Sequence, residues 1–172
     1  MTKPERNTNK PLRISACYQR FSAFTLIELV ISITIISILA AVGFASIIKY
    51  KERQDLNSAS QEIVVVVRNA QDRSLSQESG DRWGVYFENP ASGTDFYDMF
   101  KGLSYASGTI VSHNVLSFNI QLDIPTSGSS STIIFSPVTG LPDNSITIKI
   151  SLIGSPTSSS TIVVSSNGEI QY

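Results

Sequence analysis

The sequence predicts an α+β protein: one long amino-terminal helix, half apolar and half amphipathic, packed on a carboxy-terminal antiparallel β-sheet head. Three observations predict it. Leu29 to Ile48 is an unbroken run of 20 uncharged, mostly aliphatic residues. Leu56, Ala59, Ile63, Val67 and Ala70 then recur at three- and four-residue steps, the stripe of a half-buried helix. After Gly80 the apolar pattern changes to period two, the signature of strands with one face in a core.

The apolar run comes first. Twenty residues of helix span about 30 Å, the thickness of a bilayer's hydrocarbon core. Strands usually end by about ten residues, so the run reads as one transmembrane helix, residues 24–48. Residues 1–23 carry five basic side chains against Glu5 alone, a charge of +4, whereas Lys49, Lys51 and Arg53 follow the run. That bias places the amino terminus in the cytoplasm and the rest outside, with a single crossing. The other 149 residues carry eight basic and thirteen acidic side chains, so the body of the protein is −5 and a nucleic-acid partner is not expected.

Lys49–Ser79 contains no Pro or Gly and continues the helix as an amphipathic stalk over 49–79. Its stripe needs only a sheet to pack on, with no cofactor. Residues 80–172 form the head. Trp83–Glu88 and Phe96–Phe100 read as short aromatic strands, Leu116–Ile124 alternates cleanly, and Thr132–Ser136, Ile146–Leu152, Thr161–Ser165 and Glu169–Tyr172 complete six or seven strands. Asn167-Gly168 marks a tight hairpin. The serine-rich stretches 127–131 and 155–160 read as loops.

Glu28 is out of place. A carboxylate at the edge of a membrane span costs on the order of 1–3 kcal/mol, and such a residue is functional by default. A helix's first turn also suits an acid, because the backbone dipole favours it there. Its setting is Ala23-Phe24-Thr25-Leu26-Ile27-Glu28 followed by the aliphatic helix, after a basic leader. This pattern resembles the class III signal of type IV pilins and type II secretion pseudopilins. Ala23 stands where that family usually has Gly.

The resemblance implies that a prepilin peptidase removes residues 1–23 by cutting between Ala23 and Phe24, and methylates the new amino terminus on Phe24. It implies that the apolar helix survives processing. It assigns assembly to Glu28, whose carboxylate would meet the Phe24 ammonium of a neighbouring subunit. The implied partners are the peptidase, other pilin or pseudopilin subunits, the inner-membrane assembly machinery and membrane lipid, at the inner membrane and then in a filament. Residues 131–172 resemble the H-type minor pseudopilin more weakly, through Phe135-Ser-Pro-Val-Thr-Gly140 and Asn167-Gly-Glu-Ile170.

Competing readings explain less. An ordinary secretory signal cut near Gly43-Phe44-Ala45 has too long an apolar run and contains Glu28. Ile14-Ser15-Ala16-Cys17 looks like a lipobox, but the apolar stretch lies after the cysteine instead of before it. A secreted or membrane-anchored β-domain that binds a ligand without any filament is the alternative function. Cys17 and His113 are the only residues of their kinds, so no intrachain disulfide and no Cys/His metal cluster is expected. Asp95 and Asp98, with Asp81 or Glu88 nearby, match no calcium-ligand spacing and read as solvated loop acids. His113 reads as an exposed turn residue. No nucleophile, paired-carboxylate or phosphate-loop motif occurs, so the expected role is structural, with no catalytic residue, metal or cofactor.

Overall fold

A computed structural model describes residues 24–172, except the side chains of 42–46 and 156. The leader and Ala23, one of the two residues flanking the expected cut, lie outside the described residues. The chain divides into two units at Val42 and Gly43. One helix, α1 (Leu26–Leu75), contributes to both.

In the first unit, the residues of α1 that are described all expose their side chains. Ile31, Ile33, Ile35, Ile36, Ile38 and Leu39 are each more than half exposed, on every side of the helix. A helix that is apolar all round belongs in a setting that covers it. The polar groups within it are already paired. Ser32, Thr34 and Ser37 each donate their hydroxyl to the carbonyl four residues back, at 2.7 Å, so the run presents no free hydroxyl hydrogen from these residues. Among the described residues no helix is long and apolar enough to cross a membrane. The uncharged stretch of sequence runs on through residues 42–46 to Ile48.

The second unit is built on the carboxyl half of α1. Leu56, Ile63, Val67 and Ala70 are buried as the stripe predicts, and Ala59 is partly buried beside them. Ser60 and Val64 join the buried face, Ser60 by donating its hydroxyl to the Leu56 carbonyl. Valines 64 and 67 are buried, and Val65 between them is exposed. The four-valine run therefore stays helical through packing, against its weak propensity.

The helix ends at Leu75 and a short 3-10 turn, Glu78–Gly80, follows. Gln77 and Ser79 take left-handed backbone conformations there, which end the helix before Gly80. Arg73 closes this corner. It pairs with Glu78 at 3.1 Å and lies over the Trp83 ring at 4.7 Å, and the Trp83 indole N–H donates to the Glu78 carbonyl.

Eight strands follow, in two antiparallel four-stranded sheets: β1 (Trp83–Asn89), β2 (Phe96–Lys101), β3 (Thr109–Val115), β4 (Ile120–Ile124), β5 (Ser129–Phe135), β6 (Ile146–Leu152), β7 (Ser155–Val164) and β8 (Ile170–Gln171). Their orders are β3-β2-β1-β5 and β4-β6-β7-β8. One apolar cluster joins both sheets to α1: Val85, Phe87, Ile133 and Phe135 from the first, Leu122, Ile148, Ile150 and Ile162 from the second.

Three sequence expectations need correction. The serine stretches are largely strand: Ser129–Ser131 pair with Glu88 and its neighbours in β1, and Ser159 and Ser160 pair with Ser151 and Ile150 in β6. Ladder bonds to a well-defined neighbour outweigh the weak local preference of serine for turns. His113, read as a turn residue, lies on the edge strand β3, which was missed because it is exposed on both faces and so has no alternation. The alternating run from Leu116 becomes strand only at Ile120; Leu116 is buried, but Phe118 points into solvent.

The two segments behind the weaker resemblance meet at one side chain. The Gln71 amide of α1 donates to the carbonyls of Gly140 and Gly168, both at 3.0 Å. Gly168 has a φ of 83°, and a Cβ there would lie 2.8 Å from that same amide nitrogen, so only glycine fits the hairpin and the helix together. Gln71→Ala leaves two part-buried carbonyls without their donor. It should lower stability by about 1–3 kcal/mol, seen as a lower unfolding midpoint in chemical denaturation with an unchanged m-value.

Candidate functional site

Three places in the described residues carry chemistry. The first is the amino-terminal turn of α1. Thr25 precedes the helix and caps it: its hydroxyl oxygen accepts the Glu28 N–H at 3.3 Å, and its carbonyl accepts the N–H of Glu28 and Leu29 at 3.1 and 3.2 Å. Thr-x-x-Glu is a capping box in sequence, and here its threonine half is formed. Glu28 therefore sits on the helix's third residue, exposed, in the turn where the dipole favours an anion. Phe24 is 74% exposed, just outside the cap. Phe24 and Glu28 thus lie one turn apart on an exposed helix start, and Thr25 fixes the backbone between them.

The second place is the outer face of the first sheet, the side away from α1. Phe100 is wholly buried there, although it is absent from the main core. It lies over Gly84, where an added Cβ would meet the ring at 2.9 Å, and the Gly102–Gly108 connection folds back over it. Tyr105 from that connection packs edge-on against Phe100 and stacks on Tyr86 at 3.7 Å. Its hydroxyl donates to Asp98 Oδ2 at 2.6 Å, and His113 Nδ1 lies 2.6 Å from Asp98 Oδ1. Asp98 is 1% exposed.

Asp98 is therefore a buried strand residue with both oxygens engaged, not a solvated loop acid, and His113 lies on β3, not in a turn. Burial, then the bond and charge of Asp98, hold the Tyr105 hydroxyl above its usual range, which keeps it a donor. Tyr86 in turn donates to Glu88 at 3.1 Å. The sequence held the alternating Tyr86, Glu88 and Phe96, Asp98, Phe100, but the fold of residues 102–108 over them was not visible. Burial of that face depends on a loop with no hydrophobic pattern of its own.

The third place is a cleft of about 610 Å³ between the 89–95 connection and β4, edged by the exposed Phe118 and Ile153. Asp95 reaches into its wall and accepts the Leu122 N–H at 2.6 Å. It lies in a loop as expected, but as a half-buried structural acceptor instead of a solvated acid. Asn89 fixes the same corner by donating to the carbonyls of Leu122 and Pro125. Among the described residues no group of three metal-ligating side chains comes together.

Comparison with known proteins adds the decisive fact. Residues 18–44 match the family model of the prokaryotic N-terminal methylation motif, a stretch that contains Ala23, Phe24 and Glu28. The fold agrees with a solved structure, the type IV minor pilin FimU of Pseudomonas aeruginosa strain PAO1. Its P21 crystal form matches with a TM-score of 0.53 at 18% identity, covering 71% of this chain and 90% of that one. Its P65 form gives 0.50 at 17%, covering 67% and 90%.

The fold is pilin-like.

No curated protein matches this chain. At these identities the structural matches speak to the fold alone.

The Asp95 environment gives a pH test. Burial raises its pKa, and the Leu122 N–H only partly offsets that. A folded-state value above the unfolded one means that the folded protein holds the proton longer. Stability should therefore fall as pH rises from about 4, the ordinary carboxylate value, through the raised folded value, and then level off. Asp95→Asn keeps an acceptor for Leu122 and removes the titration. Its unfolding midpoint relative to the parent protein should rise between pH 4 and pH 7; a constant difference across that range would contradict the assignment.

Proposed function

We propose that the chain is a structural subunit of a type IV pilus or type II secretion pseudopilus, processed by a prepilin peptidase between Ala23 and Phe24 and methylated on Phe24. The observation that carries this reading is the methylation motif over residues 18–44, running into an exposed helix that is apolar on all sides. Residues 24–48 would anchor the subunit in the inner membrane with its amino terminus in the cytoplasm. The uncharged run to Ile48 and the paired hydroxyls of Ser32, Thr34 and Ser37 support that placement. The fold shared with the minor pilin FimU supports a pilin-type head on residues 80–172.

In this reading Glu28 sets the register of assembly. Cleavage leaves an ammonium on Phe24 in a poorly hydrated setting. Glu28, one turn along the helix, is too close in sequence to need that charge for its own cap, since Thr25 caps the turn. A neighbouring subunit's ammonium can therefore meet the carboxylate. Two unlike charges in lipid offset part of each other's desolvation, and a misregistered subunit would leave both unpaired. The aliphatic faces supply close packing, and the ion pair decides where it stops.

In cells with an active prepilin peptidase, the mature protein should begin with N-methylated Phe24 by mass spectrometry, and in cells without it residues 1–23 should remain. A start near Ser46 would instead support a secreted β-domain acting alone. Glu28→Ala should still be cleaved and membrane-inserted yet be lost from sheared filaments. Its incorporation at parental levels would remove the register role.

A further inference from the structure

The membrane-proximal end of the head contains a second cleft, of about 340 Å³, between α1 and β7. Its wall is Arg53, Leu56 and Asn57 from the helix and Thr157, Ser158, Ser159 and Ser160 from the strand. All but Leu56 carry a hydrogen-bond donor, and no carboxylate lines the cleft. Among the described residues none of the six side chains makes a hydrogen bond, and Arg53 pairs with no acid. Arg73 and Arg82 are paired, whereas Arg68, like Arg53, makes no ion pair among the described residues. Elsewhere the fold uses its serines: Ser60, Ser74 and Ser151 are buried and bonded.

The position along the helix narrows the ligand. Lys49, Arg53 and Asn57 are spaced four apart, so they lie on one face above one another. Ile48 is the last residue of the uncharged run. Arg53 is five residues farther, roughly 7 Å along the axis. Polar headgroup layers extend about 5–8 Å beyond the hydrocarbon on each side of a bilayer. With Ile48 at the hydrocarbon edge, the cleft opens at the depth of lipid phosphates. A guanidinium beside hydroxyl and amide donors suits a phosphate's geometry, and Lys49 below supplies a second positive charge.

We propose that this cleft binds the phosphate of an anionic phospholipid of the outer leaflet, and so docks the head on the membrane surface before assembly. The proposal rests on the membrane anchoring described above. Arg53 would take the phosphate oxygens, with Asn57 and the hydroxyls of Ser158 and Ser160 around them. Extraction into a filament would then require this contact to break.

The test uses the full-length chain in detergent micelles containing equal phosphatidylglycerol and phosphatidylcholine, read by native mass spectrometry. The protein should retain one phosphatidylglycerol in preference to phosphatidylcholine. Arg53→Gln should cut that retained fraction roughly tenfold, the scale of a lost hydrogen bond to a charged group. Lys51→Gln, on another helix face, should leave it nearly unchanged. Ser160→Asp, which puts an anion into the cleft, should also abolish retention. Equal retention by the Arg53 variant overturns the site, and so does a Lys51 variant that loses as much. Competition by inorganic phosphate at equal concentration would make the site one for free anions and overturn the lipid assignment. Vesicle flotation separates the two proposals: failure of the parent protein to insert sinks the membrane reading, whereas insertion without Arg53-dependent retention sinks this one alone.

Discussion

The head exists because two small sheets share one layer of apolar side chains with the carboxyl half of α1. Neither sheet could bury its inner face alone, since each has four strands and one of them, β8, is only two residues long. Leu56, Ile63, Val64, Val67 and Ala70 supply the missing surface, in one apolar cluster with Phe87 and Phe135 of one sheet and Ile148 and Ile162 of the other. Fully burying side chains of this size contributes about 1.5–3 kcal/mol each. Gln71, Ser74 and Arg73 then fix the helix's last turns to the turns around it, Ser74 by donating to the Phe135 carbonyl. Helix and sheets therefore stand or fall as one cooperative unit.

That shared layer leaves the rest of α1 with a different task. The same helix that is half-buried from Leu56 onward is apolar on all sides before Ala41. A stripe suffices where one face meets a sheet, and an apolar girdle fits the membrane anchor proposed above. Glu28 interrupts the girdle at the one turn where its cost is smallest. Thr25 has already satisfied the backbone there, and the dipole favours the acid.

How legible this was depended on the range of the interactions. The stalk stripe and the strands at Trp83, Phe96 and Ile146 could be read because each alternation has a single buried face. Residue 113 could not, because β3 is an edge strand whose partner, β2, lies on the other side of a loop. Asp95 and Asp98 looked like surface acids because nothing local marks their donors. Those come from Leu122, 27 residues away, and from Tyr105 and His113. The serines of β7 looked like a loop because their pairing with β6 leaves no trace in composition.

The sequence by itself determined the parts governed by nearest neighbours and periodicity. These are the basic leader, the uncharged run, the acid five residues past Ala23, and the heptad-like stripe, each a property of one segment read in isolation. Only the tertiary structure decided which donors reach the buried carboxylates, that residues 102–108 roof Phe100, and that Arg53 and Asn57 share a cleft with residues 157–160. The reason is physical. A segment's periodicity records which face is buried, whereas hydrogen-bond partners and clefts belong to pairs of segments whose approach is set by the packing of the whole core.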